Sequence, residues 1–116
     1  MIHSACWMHL LMGLFVFLFG SEASAKDFRP SFDCNRARYQ DEITICNNQK
    51  LSELDQIASF GYSQIKGESQ SIAQDFLLNF LDVRHACGSN KLCILDTQDQ
   101  IIDDLNEVGA NISKPS

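Results

Sequence analysis

Residues 83–95 read Val-Arg-His-Ala-Cys-Gly-Ser-Asn-Lys-Leu-Cys-Ile-Leu. The reading of this stretch decides the fold: a helix end, a tight turn and a helix start, with a cysteine on each side of the turn. Gly88 stops the first helix because glycine takes the left-handed backbone that terminates helices without a Cβ penalty. Upstream, Ile72, Phe76, Phe80, Val83 and Cys87 recur at three- and four-residue steps, the spacing of one helix face. Leu77, Leu78 and Leu81 widen the stripe, so this helix is expected to be the most buried of the domain. Ser71-Ile72-Ala73-Gln74 fits a capping box for its start. Downstream, Ile94, Ile101, Leu105 and Val108 form the inner face of a last helix from about Lys91 to Val108. Ile102 lies at its edge, Gln98 interrupts it and Gly109 closes it.

Working back towards the N-terminus, Leu51, Leu54, Ile57, Ala58, Tyr62 and Ile65 mark another amphipathic helix. Gly61 sits inside it, at about 1 kcal/mol relative to Ala, and Gly67 is its natural terminator. Asp41–Cys46 reads as a short helical turn, and Lys26–Phe32, with Pro30, as extended chain. No segment alternates with period two for long enough to be a strand. The expected fold is all-α: a small helical array of three main helices plus a short N-terminal helical turn.

Residues 1–25 read as an export signal. Leu10–Phe19 is an apolar run too short to span a bilayer as a helix, which takes about 20 residues. Ala23 and Ala25 supply the small residues of an A-x-A cleavage site, so the mature chain is expected to start at Lys26. The preceding segment has no Lys or Arg, and an uncleaved anchor is the alternative, the only way this chain would meet a membrane. The expected organisation is then signal 1–25, helical domain 26–110 and polar tail 111–116. A domain of this size buries only about 60–65% of its unfolded surface, so its core alone is marginal.

Cysteine supplies the missing stability. Of the 5 cysteines, Cys6 leaves with the signal, and Cys34, Cys46, Cys87 and Cys93 remain. An even count in a short exported chain reads as two disulfides, with three possible connectivities. Bridges across the 87–93 turn and from Cys34 to Cys46 are geometrically easy, each adding roughly 2–3 kcal/mol; a crossed pairing of Cys34 with Cys87 stays open. A metal site built on Cys87, Cys93 and His85 would lack finger or ribbon spacing, so no metal is expected.

Composition narrows the function. The net charge of −6 argues against nucleic acid, which demands a basic stripe. There is no phosphate-binding glycine loop, no Ser-His-Asp order with supporting motifs and no His-Glu-x-x-His zinc helix. No cofactor, no catalytic residue and no enzymatic activity are therefore expected; the chain is read as acting by binding.

The residues that remain resemble the LprI-type lysozyme-inhibitor family, small exported bacterial domains. The opening motif stands here as Ser31-Phe32-Asp33-Cys34, Ala37, Glu42 and Ile45-Cys46, followed by Leu51, Leu54-Asp55 and Tyr62. The second half matches through Arg84, Cys87, Cys93, Ile102 and Leu105. Two departures stand out: Phe80 or Leu81 fills the stretch where the family carries a tryptophan, and Gln98 and Ile101 replace its tyrosine and arginine. The resemblance implies a helical, disulfide-bonded domain outside the cytoplasm, and for a named member inhibition of a lysozyme.

The partner-binding candidates follow from charge. Asp96, Asp99, Asp103, Asp104 and Glu107 place five acids and no base in residues 96–107, and Asp96, Asp99, Asp103 and Glu107 share a helix face. Animal-type lysozymes are strongly basic, and an acidic face would steer their encounter. An ordinary solvated helix face is the competing reading. Glu42 and Asp55 are expected to cap or salt-bridge near Arg36, Arg38 or Arg84 rather than catalyse. Tyr62 and Phe80 are expected in the core, and His85 as a solvated or capping side chain. An envelope accessory domain with a different protein partner is the alternative function.

Overall fold

The computed structural model describes residues 29–115. The expected export signal lies outside them. A 3₁₀ turn, Cys34–Arg36, leads into four helices: α1 (Gln40–Cys46), α2 (Gln49–Gln64), α3 (Ser69–Ala86) and α4 (Lys91–Glu107). The fold is all-α, with three long helices and a short N-terminal one, as the periodicity predicts. Among the described residues no helix is long and apolar enough to cross a membrane.

Local chemistry sets most helix ends. The Asp33 carboxylate accepts from Asn35 N at 2.9 Å and opens the 3₁₀ turn. Glu42, in the first turn of α1, reaches back to the amides of Arg38 and Tyr39 at 3.0 and 3.3 Å. Asn48 caps α2 by accepting from Leu51 N at 3.0 Å, and Asn90 caps α4 by accepting from Cys93 N at 3.0 Å. The start of α3 differs from the sequence expectation. Ser69 already lies within the helix, so Ser71 and Gln74 form no capping box. Gly67, at φ 66°, turns the chain early. The Gln70 amide then donates to Gly67 O at 3.1 Å, and its side chain donates to Ile65 O at 3.2 Å.

Both disulfides are local: Cys34 is bonded to Cys46, and Cys87 to Cys93. The first ties the 3₁₀ turn to the end of α1, the second closes the α3–α4 hairpin. Two such bonds in one small domain fit an oxidising compartment.

The core contradicts one expectation. α3 is the least buried of the three long helices, and α4 is the central one: both α2 and α3 pack chiefly on it. Ile94, Gln98, Ile101, Ile102 and Leu105 of α4 are buried, whereas α3 buries only Ala73, Phe80 and Arg84. A helix flanked on two sides must be apolar over a wider arc than one flanked on a single side. Gln98 does not interrupt this packing; it is fully buried, and its amide donates to Leu51 O at 3.1 Å, tying α4 to α2.

The C-terminal segment is also more tightly held than its polar composition suggests. Asn106 donates to Ile112 O at 2.9 Å and accepts from Ile112 N at 3.0 Å, while Asn111 N donates to the Gln64 side chain at 2.7 Å. Ile112 packs on the main core cluster. It lies over Gly61, where a Cβ would meet the end of the Ile112 side chain. A glycine in mid-helix is explained by this close approach.

Candidate functional site

The polar heart of the molecule is Arg84, near the C-terminus of α3 and only 3% exposed. Its Nε donates to Asp41 Oδ2 at 2.6 Å, and its Nη1 lies 3.5 Å from Asp55 Oδ1. The guanidinium sits between two rings, 5.7 Å from the centre of Phe32 and 5.4 Å from that of Phe80. Asp55 Oδ2 accepts the amide of Ser31. Asp41 is fully buried and also meets His85 Nδ1 at 2.9 Å, and Tyr39 stacks on the His85 ring at 4.1 Å between centroids. One arginine therefore joins the N-terminal segment, α1, α2 and α3.

Asp41 is the electrostatic pivot. Burial pushes its carboxyl up, but hydrogen bonds from His85 and Arg84, with the charges of both, outweigh burial and hold the carboxyl below its usual range.

Several of the residues that carry the resemblance meet here. Phe32, Glu42, Asp55, Tyr62 and Arg84 line a shallow cleft of about 250 Å³ beside this centre. Leu51 and Leu54 are in the core below it. Asp33 stays at the surface, capping its turn and lying 4.0 Å from Arg36. Ala37 is half-buried between the 3₁₀ turn and α1. The expected ion pair of Asp55 is with Arg84, and Glu42 caps α1, so each takes the structural role anticipated for it. Phe80 is buried and Tyr62 packs on the same cluster. His85 departs from expectation: it is held by a hydrogen bond with Asp41 and a stacked ring rather than left to solvent.

Asp41 was not singled out by the sequence reading. The available signal was its spacing: it stands four residues before Ile45, on the face that α1 buries, where an acid requires a cation. Both carboxylates beside Arg84 are engaged by it.

Of the four acids expected as partner contacts, Asp99, Asp103 and Glu107 lie on the outer side of α4, and Asp96 stands at the edge of that face, beside the groove towards α3. Asp96, Asp103 and Glu107 are exposed and Asp99 is half-exposed. Asp103 meets Lys114 at 3.0 Å. Asp104 faces the same groove towards α3 and accepts from Gln100 at 3.0 Å. Among the described residues no group of three or more His, Cys, Asp or Glu side chains is placed to hold a metal ion.

Comparison with protein-family models, with curated proteins and with solved structures returns no match.

Proposed function

We propose that this is an exported protein that binds a basic, animal-type lysozyme without covalent chemistry and occludes its substrate cleft. The observation that carries the reading is the outer face of α4, where Asp99, Asp103 and Glu107 stand, with Asp96 at its edge and Lys114 as the neighbouring cation. Such a surface accelerates encounter with a basic protein and repels nucleic acid and anionic lipid. The resemblance of the Ser31–Leu105 motifs to the LprI-type family supports the same choice of target, and the disulfides suit export.

The test is lysozyme activity on cell walls with the oxidised protein titrated in, first at low salt and then at high. Stoichiometric inhibition that weakens as salt rises is expected. Absence of inhibition of chicken-type, goose-type and invertebrate-type lysozymes by a folded sample overturns the reading and leaves an envelope domain with another partner.

A further inference from the structure

Half of the apolar stripe on α3 is uncovered. Phe80 reaches the core, but Ile72 is 47% exposed and Val83 46% exposed. Helical spacing puts Ile72, Phe76 and Val83 on one flank of α3, the flank beside α4. There the two helices leave a groove of about 200 Å³. Phe76, Phe80 and Ile101 form its floor, Val83 a wall, and Asp96 and Asp104 stand on its α4 side. α3 and α4 form a hairpin, so the acids flank the groove towards opposite ends. They are eight residues apart on α4, roughly 12 Å by helical rise.

We infer that this groove is a docking site for a basic protein, taking one apolar side chain flanked by lysine or arginine on both sides. This deepens the proposed function and rests on its choice of a basic partner. The volume is too small for a cofactor or drug-sized ligand, whose sites run to about 300–1,000 Å³. It suits a single anchoring side chain, and hot spots of interfaces sit in such desolvated pockets. The charges select the neighbours of that anchor. No cation lines the groove, so two carboxylates face whatever enters. A second copy of this chain docked face to face would bring acid against acid, and a phosphate-bearing membrane surface would be repelled in the same way. A partner with cations roughly 12 Å apart around an apolar residue meets both demands, whether they are seven or eight residues apart on a helix or about four apart in an extended strand.

The experiment uses two probes on the oxidised protein: chicken-type lysozyme, and a helical peptide with leucines on one face and lysines beside them. Amide and methyl NMR shifts locate binding, and titration gives affinity. Shifts centred on Phe76, Val83 and Ile101 are expected. The double variant Asp96→Lys/Asp104→Lys should weaken binding at least about tenfold. Replacing the peptide's lysines by glutamates should abolish binding. Shifts confined to other surfaces overturn the proposal, as does unchanged affinity in the folded double variant, or no binding of either probe. If the peptide fills the groove but lysozyme is not inhibited, the groove stands and the lysozyme reading falls. If lysozyme inhibition persists undiminished in the groove variant, the groove falls and inhibition stands.

Discussion

Two regions of α3 adjoin each other and follow opposite rules. At the C-terminal end, Arg84 is a charge where apolar residues are expected, buried and paired with Asp41 and Asp55. Along the neighbouring flank, Ile72, Phe76 and Val83 are apolar where solvent reaches them. The buried ion cluster is closed by its own partners. The apolar flank is not. A charge is tolerated inside only when every bond is made, whereas an apolar side chain outside costs little until something covers it. The first region therefore reports on the integrity of the domain, and the second is where the proposed partner would dock.

The comparison breaks most visibly at Arg84. Arg84→Ala takes from the buried carboxylates of Asp41 and Asp55 the guanidinium they share and removes the cation between Phe32 and Phe80. The expected loss is about 3–5 kcal/mol by chemical denaturation. Asp41→Asn should also destabilise strongly, and the double variant Asp41→Asn/Arg84→Met should lose less than the sum of the single changes. Additive losses would mean that the two residues do not act as one unit.

The hairpin disulfide comes next. Cys87→Ser with Cys93→Ser releases the α3–α4 turn and should cost roughly 2–3 kcal/mol, mostly by freeing the unfolded chain. The loss should be visible as a lower melting temperature with helical circular dichroism retained. A melting temperature equal to that of the parent would show that Asn90 and Gly88 set the turn without help.

Acid should act on the Arg84 centre and spare the groove. The Asp41 carboxyl is held below its usual range in the folded state, so the unfolded chain binds its proton first as pH falls. The stability this group contributes is complete above the unfolded value, about pH 4, and is lost as pH falls through the native value. Asp41→Asn should therefore flatten the acid limb of the stability profile. An unchanged acid limb in that variant would assign acid sensitivity to other carboxylates.

Much of this organisation is legible in sequence. Three- and four-residue apolar steps give the helices, Gly88 and the flanking cysteines give the hairpin, and the Ser31–Cys46 and Leu54-Asp55 motifs give residues that meet around Arg84. What escapes is tertiary. Periodicity states which face of α3 is apolar but not how much of it a neighbour covers, because that depends on α4 lying between α2 and α3. Asp41 looks like one surface acid among 15 acidic residues until Arg84, 43 positions away, is placed against it. Gly61 reads as a flaw in a helix until Ile112 crosses it. Each miss joins residues far apart in the chain, where local pattern holds no information.

Val83 gives the smallest expected effect and the sharpest contrast. It carries the same apolar character as Phe80, less than one helical turn away, yet solvent takes the place of a packing partner. Val83→Ser should change stability by no more than about 0.5 kcal/mol, since the two residues have similar helix propensity and little contact is lost. Phe80→Ala should cost about 3–5 kcal/mol because it empties a filled site. A Val83→Ser loss approaching that of Phe80→Ala would mean that the flank is already packed in the free protein, leaving no groove for a partner to fill. Equal stability with weaker binding separates the two regions cleanly: Arg84 holds the domain together, and Val83 is left uncovered for what the domain binds.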